Sequence, residues 1–528
     1  MLAARPIILL LAILVASSNG ANILGLFSSH SPSHLIIHMS VAKTLAEAGH
    51  NVTVVSMLPP KVTHKDIHVI VIPVTDEQEQ IIENQMSEMA SQRNSIISTL
   101  NRLMNGMDVM IDSQADLLSH PQFQQIYDTK FDLMILGYFL NEFQLGVAAK
   151  LKVPVIIDWM SAPMLAIDEF TGNPTEVSYV PNIGTTTTHP MGLLKRAENL
   201  AKHLFIKYMM SVLVSKSDKI YEEKFGNDKT LPSLTEAKKN ISLAFVNAHL
   251  ISEGPIRPLV PGVIEIGGIQ VKDKPSPLPK DIDEFLSKST QGAILLSLGS
   301  NIKGSSIKPE IVQSIFKVLS GLKLNVIWKW EDPENTPGNS ANILYKKWLP
   351  QDDILAHPNT KLFITHAGKG GITEAQYHGV PMVALPIFGD QIGNAHAMEK
   401  AGYGLALDLL SITEDSLRKA LNEVLENKKY GEAIGKFSAL YRDRPLSAKQ
   451  AVLYWTEYVL RHKGAPHLQS PAVHMNFIEL NNIDVHLLII TIVVLVILLL
   501  RLVVKFVWNK LCSKAKGSSK NSKKQKKQ

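Results

Sequence analysis

The sequence predicts an α/β protein of two doubly wound domains in tandem, followed by one membrane-crossing helix. Three observations carry that prediction. Strand, helix and strand patterns alternate from Ile23 onward, the alternation restarts after a proline-rich stretch at 251–280, and an apolar run of spanning length stands near the end. The 528 residues exceed one ordinary core, since domains usually hold roughly 100–200 residues. A mean hydropathy of +0.06 excludes a polytopic membrane protein.

In chain order, residues 1–20 read as a secretory signal: one Arg at position 5, an apolar run from Ile7 to Ala16, then the small residues Ser18 and Gly20. The first domain is expected at 21–255. It opens with a strand from Ile23 to Phe27, a polar loop from Ser28 to His34 and a helix stopped by Gly49. A β-branched strand from Asn51 to Met57 completes a βαβ unit of a parallel sheet. Further strands are expected at Val69–Pro73, Leu133–Leu136, Val155–Asp158 and Leu243–Asn247, with helices around 78–118, 140–150 and 190–215. Prolines at 255, 258, 261, 275, 277 and 279 mark a linker, placed at 256–285. The second domain, 286–460, repeats the pattern with strands at Ala293–Ser297, Asn325–Lys329, Leu362–Thr365 and Met382–Leu385. A juxtamembrane segment at 461–484 leads to the span at 485–504, about 20 residues against a bilayer core of roughly 30 Å.

From Arg501 onward there are ten Lys or Arg and no Asp or Glu, so the tail at 505–528 is expected in the cytosol and the domains across the membrane. Removing those ten from the formal +6 leaves −4, so the net positive charge gives no argument for nucleic acid. Lys524 and Lys526 stand in the tail as in the dilysine signals that return proteins to the endoplasmic reticulum. The single cysteine, Cys512, falls in the tail, which excludes a thiol nucleophile, disulfides or a cysteine metal site in the rest. Of two sequons, Asn51 opens a strand expected to be buried, which leaves Asn240 as the glycosylation site. The methionines and apolar residues near 86–110 have two readings, the lining of an acceptor pocket, since Met adapts to varied shapes, and a helix core, which is preferred.

Ligands of open α/β sheets bind beyond the carboxyl ends of strands. After Thr365 comes His366-Ala367-Gly368-Lys369-Gly370-Gly371-Ile372-Thr373-Glu374, a glycine-rich turn feeding a helix. Free amides and the positive dipole end there suit a diphosphate. Upstream stands Trp348-Leu349-Pro350-Gln351, and downstream runs Gly379 to Ala395 with Asp390-Gln391. Together residues 348–395 resemble the donor-binding signature of the UDP-glucuronosyl/UDP-glucosyltransferase family, and the whole layout is most similar to its insect branch.

The resemblance implies the GT-B fold, two Rossmann-like domains facing a cleft, and a UDP-sugar co-substrate with no resident cofactor or metal. Trp348 would stack on uracil, Gln351 bond the nucleoside, His366 donate to a phosphate and Glu374 take the ribose hydroxyls. Asp390 and Gln391 would hold the hexose, with Ser300 and Arg257 completing the diphosphate contacts. His34 matches the family's general base, an imidazole suited to accept a hydroxyl proton near neutrality. His30 is a decoy by position, and His38 lies one turn further on.

Two departures stand out. Gly370 replaces a common Asn, for which Lys369 is expected to compensate, and Gly137 falls where the family has the Asp that supports the base. Glu142 or Asp158 could substitute. The implied reaction is hexose transfer, glucose before glucuronate, with inversion, onto a small lipophilic hydroxyl acceptor. A catalytically silent binder of UDP-sugar or of a lipophilic ligand is the alternative. Homo-oligomerisation is left open.

Overall fold

The structure is a computed structural model and describes residues 20–91, 96–182, 185, 189–252, 254–300 and 302–524. The expected signal, Gly20 apart, and the last four residues lie outside them. Two units separate, one ending at Ser470 and one beginning at Pro471.

The first unit holds two parallel sheets. In the first the order is β3-β2-β1-β4-β5-β6-β7, with β1 Asn22–Phe27, β2 Asn51–Ser56, β3 Ile67–Val71, β4 Leu133–Gly137, β5 Val155–Trp159, β6 Ile241–Val246 and β7 Val263–Glu265. In the second the order is β10-β9-β8-β11-β12-β13, with β8 Ala293–Ser297, β9 Asn325–Lys329, β10 Ile343–Lys346, β11 Thr360–Thr365, β12 Met382–Ala384 and β13 Gly404–Ala406. Strands such as β4 and β8 are buried along their whole length, which explains their unbroken apolar runs: helices cover both faces of a parallel sheet. Strand order reverses between β1 and β4 in the first sheet and between β8 and β11 in the second, so the loops after these strands diverge and leave crevices.

The helices that matter for the site are α1 (Pro32–Glu47), α2 (Asp76–Ser91), α3 (Ile96–Ser119), α4 (Leu193–Phe225), α5 (Lys369–His378), α6 (Asp390–Lys400) and α7 (Ala448–His462). Proline at the first position of α1 places a residue without an N–H where a helix has no use for one. The single helical region expected at 78–118 is two helices, α2 and α3.

Two domain boundaries differ from expectation. β7 lies inside the stretch placed in the linker, yet it pairs in register with β6, so the first domain runs on at least to Glu265. The prolines that marked the linker flank this three-residue strand without interrupting it. Helix α7, assigned to the second domain, instead returns to the first: Ala448, Ala451, Val452 and Val459 are buried in the same core as Leu24 and Leu45. Gln469 then donates to the carbonyls of Lys239 and Ile241. The chain therefore crosses between domains twice, and the crossings are fastened together. Arg444 donates to the Gly267 carbonyl at 2.7 Å, and Lys449 pairs with Asp273 at 2.9 Å.

The second unit carries α8 (Ile483–Lys524). Within Ile483–Lys514 an 18-residue stretch has a mean hydropathy of 3.4, and the helix is long and apolar enough to cross a membrane.

Candidate active site

The crevices after β1 and β8/β11 open into one cavity of about 1700 Å³ lined by both domains. His34 stands on its first-domain wall, in the opening turn of α1, half-buried beside Phe139 at a ring distance of 5.7 Å. Its Nδ1 lies 3.3 Å from Ser29 Oγ, which also accepts the Ser31 N–H. Burial, and then His38 and His30, hold the His34 imidazole down at about 3, so it is neutral at physiological pH, free to take a proton but a weaker base than the near-neutral imidazole expected from the sequence. His30, on the same wall, bonds Ser113 Oγ at 2.7 Å, and burial lowers it to about 4.

Among the described residues no carboxylate bonds His34. Glu142 is buried and takes the Tyr138 hydroxyl at 3.4 Å, while Asp158 Oδ2 holds His38 Nδ1 at 2.8 Å. The two carboxylates expected as substitutes for the missing Asp are therefore engaged elsewhere.

On the second-domain wall, α5 begins at Lys369 with Gly368 as its N-cap residue and no side chain capping it, so its first amides face the cavity uncapped. His366 sits in a slot cut by two glycines. A Cβ on Gly299 would stand 2.6 Å from the ring and one on Gly368 2.3 Å from it. Burial, then the Lys329 ammonium, lower His366 to about 4, leaving a neutral ring. Gly299→Ala, at φ +84, is expected to push this ring aside and weaken UDP-sugar binding about tenfold or more, read by calorimetry with the fold intact by circular dichroism. His366 Nδ1, Ser300 Oγ and Arg257 Nε are buried without a hydrogen-bond partner, although Arg257 Nη1 donates to Pro163 O at 3.1 Å. Buried polar atoms are normally satisfied, so three idle ones on one cavity point to an absent polar ligand.

Lys369 Nζ donates to Ser252 Oγ across the cleft at 3.3 Å, and a side chain on Gly370 would meet open space. Asp390 starts α6, where Gly389 occupies the N-cap position, and it accepts from Asn394 at 2.9 Å. Gln391 spends its carbonyl on the Ile387 and Phe388 amides, so its NH₂ is what remains for a ligand.

Past this end of the cavity, Gln351 Nε2 donates to Glu374 Oε2 at 2.7 Å, with Gly371 directly behind. Burial and the Asp352 and Asp353 carboxylates raise Glu374 to about 8. Trp348 is 43% exposed, with Lys61 Nζ 5.5 Å and Lys329 Nζ 6.0 Å from its ring. Lys329 thus connects Trp348 to His366, making one track from an exposed aromatic face to the cavity.

The sequence and the fold match known proteins. The sequence matches the UDP-glucoronosyl and UDP-glucosyl transferase family over residues 26–518. The chain belongs to this family. It is 33% identical to UDP-glucosyltransferase 2 of Dactylopius coccus over 98% of both chains, and 31% identical to UDP-glucuronosyltransferase 1-2 of Rattus norvegicus over 91% of this chain and 89% of that one. Solved structures of the kitacinnamycin glycotransferase (16% identity) and the spinosyn forosaminyltransferase SpnP (15%) superpose with TM-scores of 0.52 and 0.53. Each covers 84% of this chain, with 99% and 100% of the respective structures aligned. The fold is GT-B, and the protein is a UDP-glycosyltransferase.

Two expectations are corrected in this transferase. Met104, Met107 and Met110 of α3 line the cavity, joined by Met209 and Met210 of α4, so the methionine run is not solely a helix core. Asn51 is exposed, its side-chain amide donating to Asn22 Oδ1 at 3.1 Å, because it precedes the buried part of β2. Asn240 is exposed as well, so burial does not separate the two sequons. Nothing in the spacing along the chain singles out Asp168. It lines the cavity, binds Asn173 and Thr175 at 2.9 Å each, and is raised by burial to about 6.

Proposed function

We propose that this transferase moves glucose from UDP-glucose, with inversion, to a hydroxyl of a lipophilic acceptor. His34 acts as general base, and no cofactor or metal takes part. The observation that carries the reading is one cavity with His34 on the first-domain wall, the unpaired His366 and Ser300 on the second-domain wall, and the unpaired Nε of Arg257 between them in sequence. Trp348 offers uracil a face, Glu374 and Gln351 meet the ribose, and the α5 amides with Gly368, Gly370 and Gly371 cradle the diphosphate. Asp390 and the Gln391 NH₂ orient the hexose.

The acceptor oxygen attacks the anomeric carbon as its proton passes to the free nitrogen of His34, and the bond to UDP breaks with its electron pair on the departing diphosphate. One in-line displacement inverts the anomeric centre. The methionine-lined side of the cavity, adaptable in shape, supports a lipophilic acceptor. The Dactylopius coccus relative supports glucose over glucuronate. Ten basic residues from Arg501 onward support a helix anchored in the endoplasmic reticulum membrane with the catalytic unit in the lumen and the basic tail in the cytosol.

The test is incubation of microsomes containing the full chain with UDP-glucose or UDP-glucuronate and a simple phenol, with product identified by mass. A glucoside is expected, and a glucuronide alone would reassign the sugar. A silent sugar-nucleotide binder is the second reading, favoured by the absence of a carboxylate on His34. UDP binding without any product would establish it.

A further inference from the structure

The carboxylate missing at Gly137 has not vanished from the sheet. Gly137 ends β4, and its registered partner on β5 is Asp158, so a carboxylate stands one strand over, at the usual strand spacing of roughly 4.8 Å. That displacement puts it beside His38 rather than His34. The His38 Nδ1 to Asp158 Oδ2 distance is 2.8 Å, both side chains are essentially inaccessible, and the imidazole is stacked on Phe27 at 5.1 Å.

With Asp158 fixing Nδ1, the other nitrogen is directed at the vacant position. A Cβ built on Gly137 would lie 3.0 Å from His38 Nε2. This Nε2 is buried and has no hydrogen-bond partner, an expensive condition for a polar atom unless it serves a purpose. His34 and His38 lie four residues apart on α1, where Cβ atoms are about 5–6 Å apart.

We infer that Asp158 and His38 together are positioning residues for His34, the imidazole of His38 bridging the extra strand and presenting its Nε2 lone pair where the family's aspartate would present an oxygen. The inference rests on the reading of His34 as base. It explains why Gly137 is tolerated: any side chain there would strike the ring of His38 or of Phe27, which also lies 3.0 Å away. A protonated His38 opposes the imidazolium of His34; with its one proton on Nδ1, donated to Asp158, His38 presents a lone pair instead, and the imidazolium of His34 then forms beside an acceptor and not beside hydrocarbon. No proton leaves Asp158 or His38 in the step. The titratable groups around the pair are His30 and His34; Glu142 is occupied by Tyr138.

The experiment uses the full chain in microsomes, with UDP-glucose and a phenol, and compares wild type with Asp158→Asn, His38→Met, His38→Ala and the His38→Ala/Gly137→Asp double variant. Asp158→Asn and His38→Met are each expected to lower kcat by about tenfold or more with UDP affinity unchanged, and together to cost no more than either alone. The acid limb of the kcat profile moves to lower pH and the plateau falls, because a base that loses anionic support is weaker. Emptying the space of His38 lets a carboxylate return to β4, so the His38→Ala/Gly137→Asp variant should regain at least about tenfold over His38→Ala. Unmoved pH limbs, with any loss of kcat following loss of folded protein, would overturn the assignment, as would failure of the double variant to recover while Asp158→Asn stays fully active. A wild type inert with every donor would defeat the transferase reading and this assignment together, an outcome distinct from an active wild type with indifferent variants.

Discussion

Replacing His34 by alanine is expected to lower turnover about a thousandfold, roughly 4 kcal/mol of transition-state stabilisation, while leaving UDP affinity where it was. The two effects separate because the residues assigned to the nucleotide belong to the second domain, apart from Arg257, and His34 stands on the opposite wall. The imidazole is neutral over the whole physiological range, so its absence removes a proton acceptor and no charge. Single-turnover measurement of glycoside formation, alongside calorimetric titration with UDP, reads both quantities. Retained turnover would mean that the acceptor loses its proton elsewhere. Asp168, raised to about 6 on the same cavity, would then be the next group to replace.

Affinity for UDP-glucose is expected to climb with pH up to about 8 and then level off, approaching tenfold per unit on the rising limb. The cause is Glu374, which burial and two neighbouring carboxylates hold near 8 in the free enzyme, well above the ordinary 4.5. At pH 6 it carries a proton. Ribose hydroxyls donate best to the ionised carboxylate, so binding must expel that proton below pH 8 and need not above it; the sign is therefore tighter binding at higher pH. UDP-glucose is the ligand of choice because its diphosphate diester does not titrate in this window. His366, near 4, contributes nothing over the same range. Glu374→Gln should flatten the curve. A flat wild-type curve would show that the neutral acid serves the ribose equally well.

Much of the site could be read from the chain because its chemistry is contiguous. His366 to Glu374 are neighbours in sequence, where a strand ends and a helix begins, and the flanking residues 348–351 and 379–395 make that turn specific. The strands too were accessible, since sheets buried on both faces require unbroken apolar runs. What escaped was long-range. β7 is three residues among prolines, too short for any periodicity, and only pairing with β6 makes it a strand. Helix α7 has an apolar face like any other, and nothing local says which core it covers. The pairing of His38 with Asp158 joins residues 120 apart through strand register, which no spacing along the chain expresses. Asn51 misleads for a related reason: the strand begins there, but its neighbours' burial does not reach back to it.

The two crossings between the domains carry a mechanical consequence. A donor domain connected by one strand of chain could swivel freely about that strand. Here the outgoing and returning segments run side by side, clamped by Arg444 on the Gly267 carbonyl and Lys449 on Asp273, so twisting is resisted. A protease that severs either segment nicks the enzyme without releasing half of it, because the other segment still holds the donor domain to its partner.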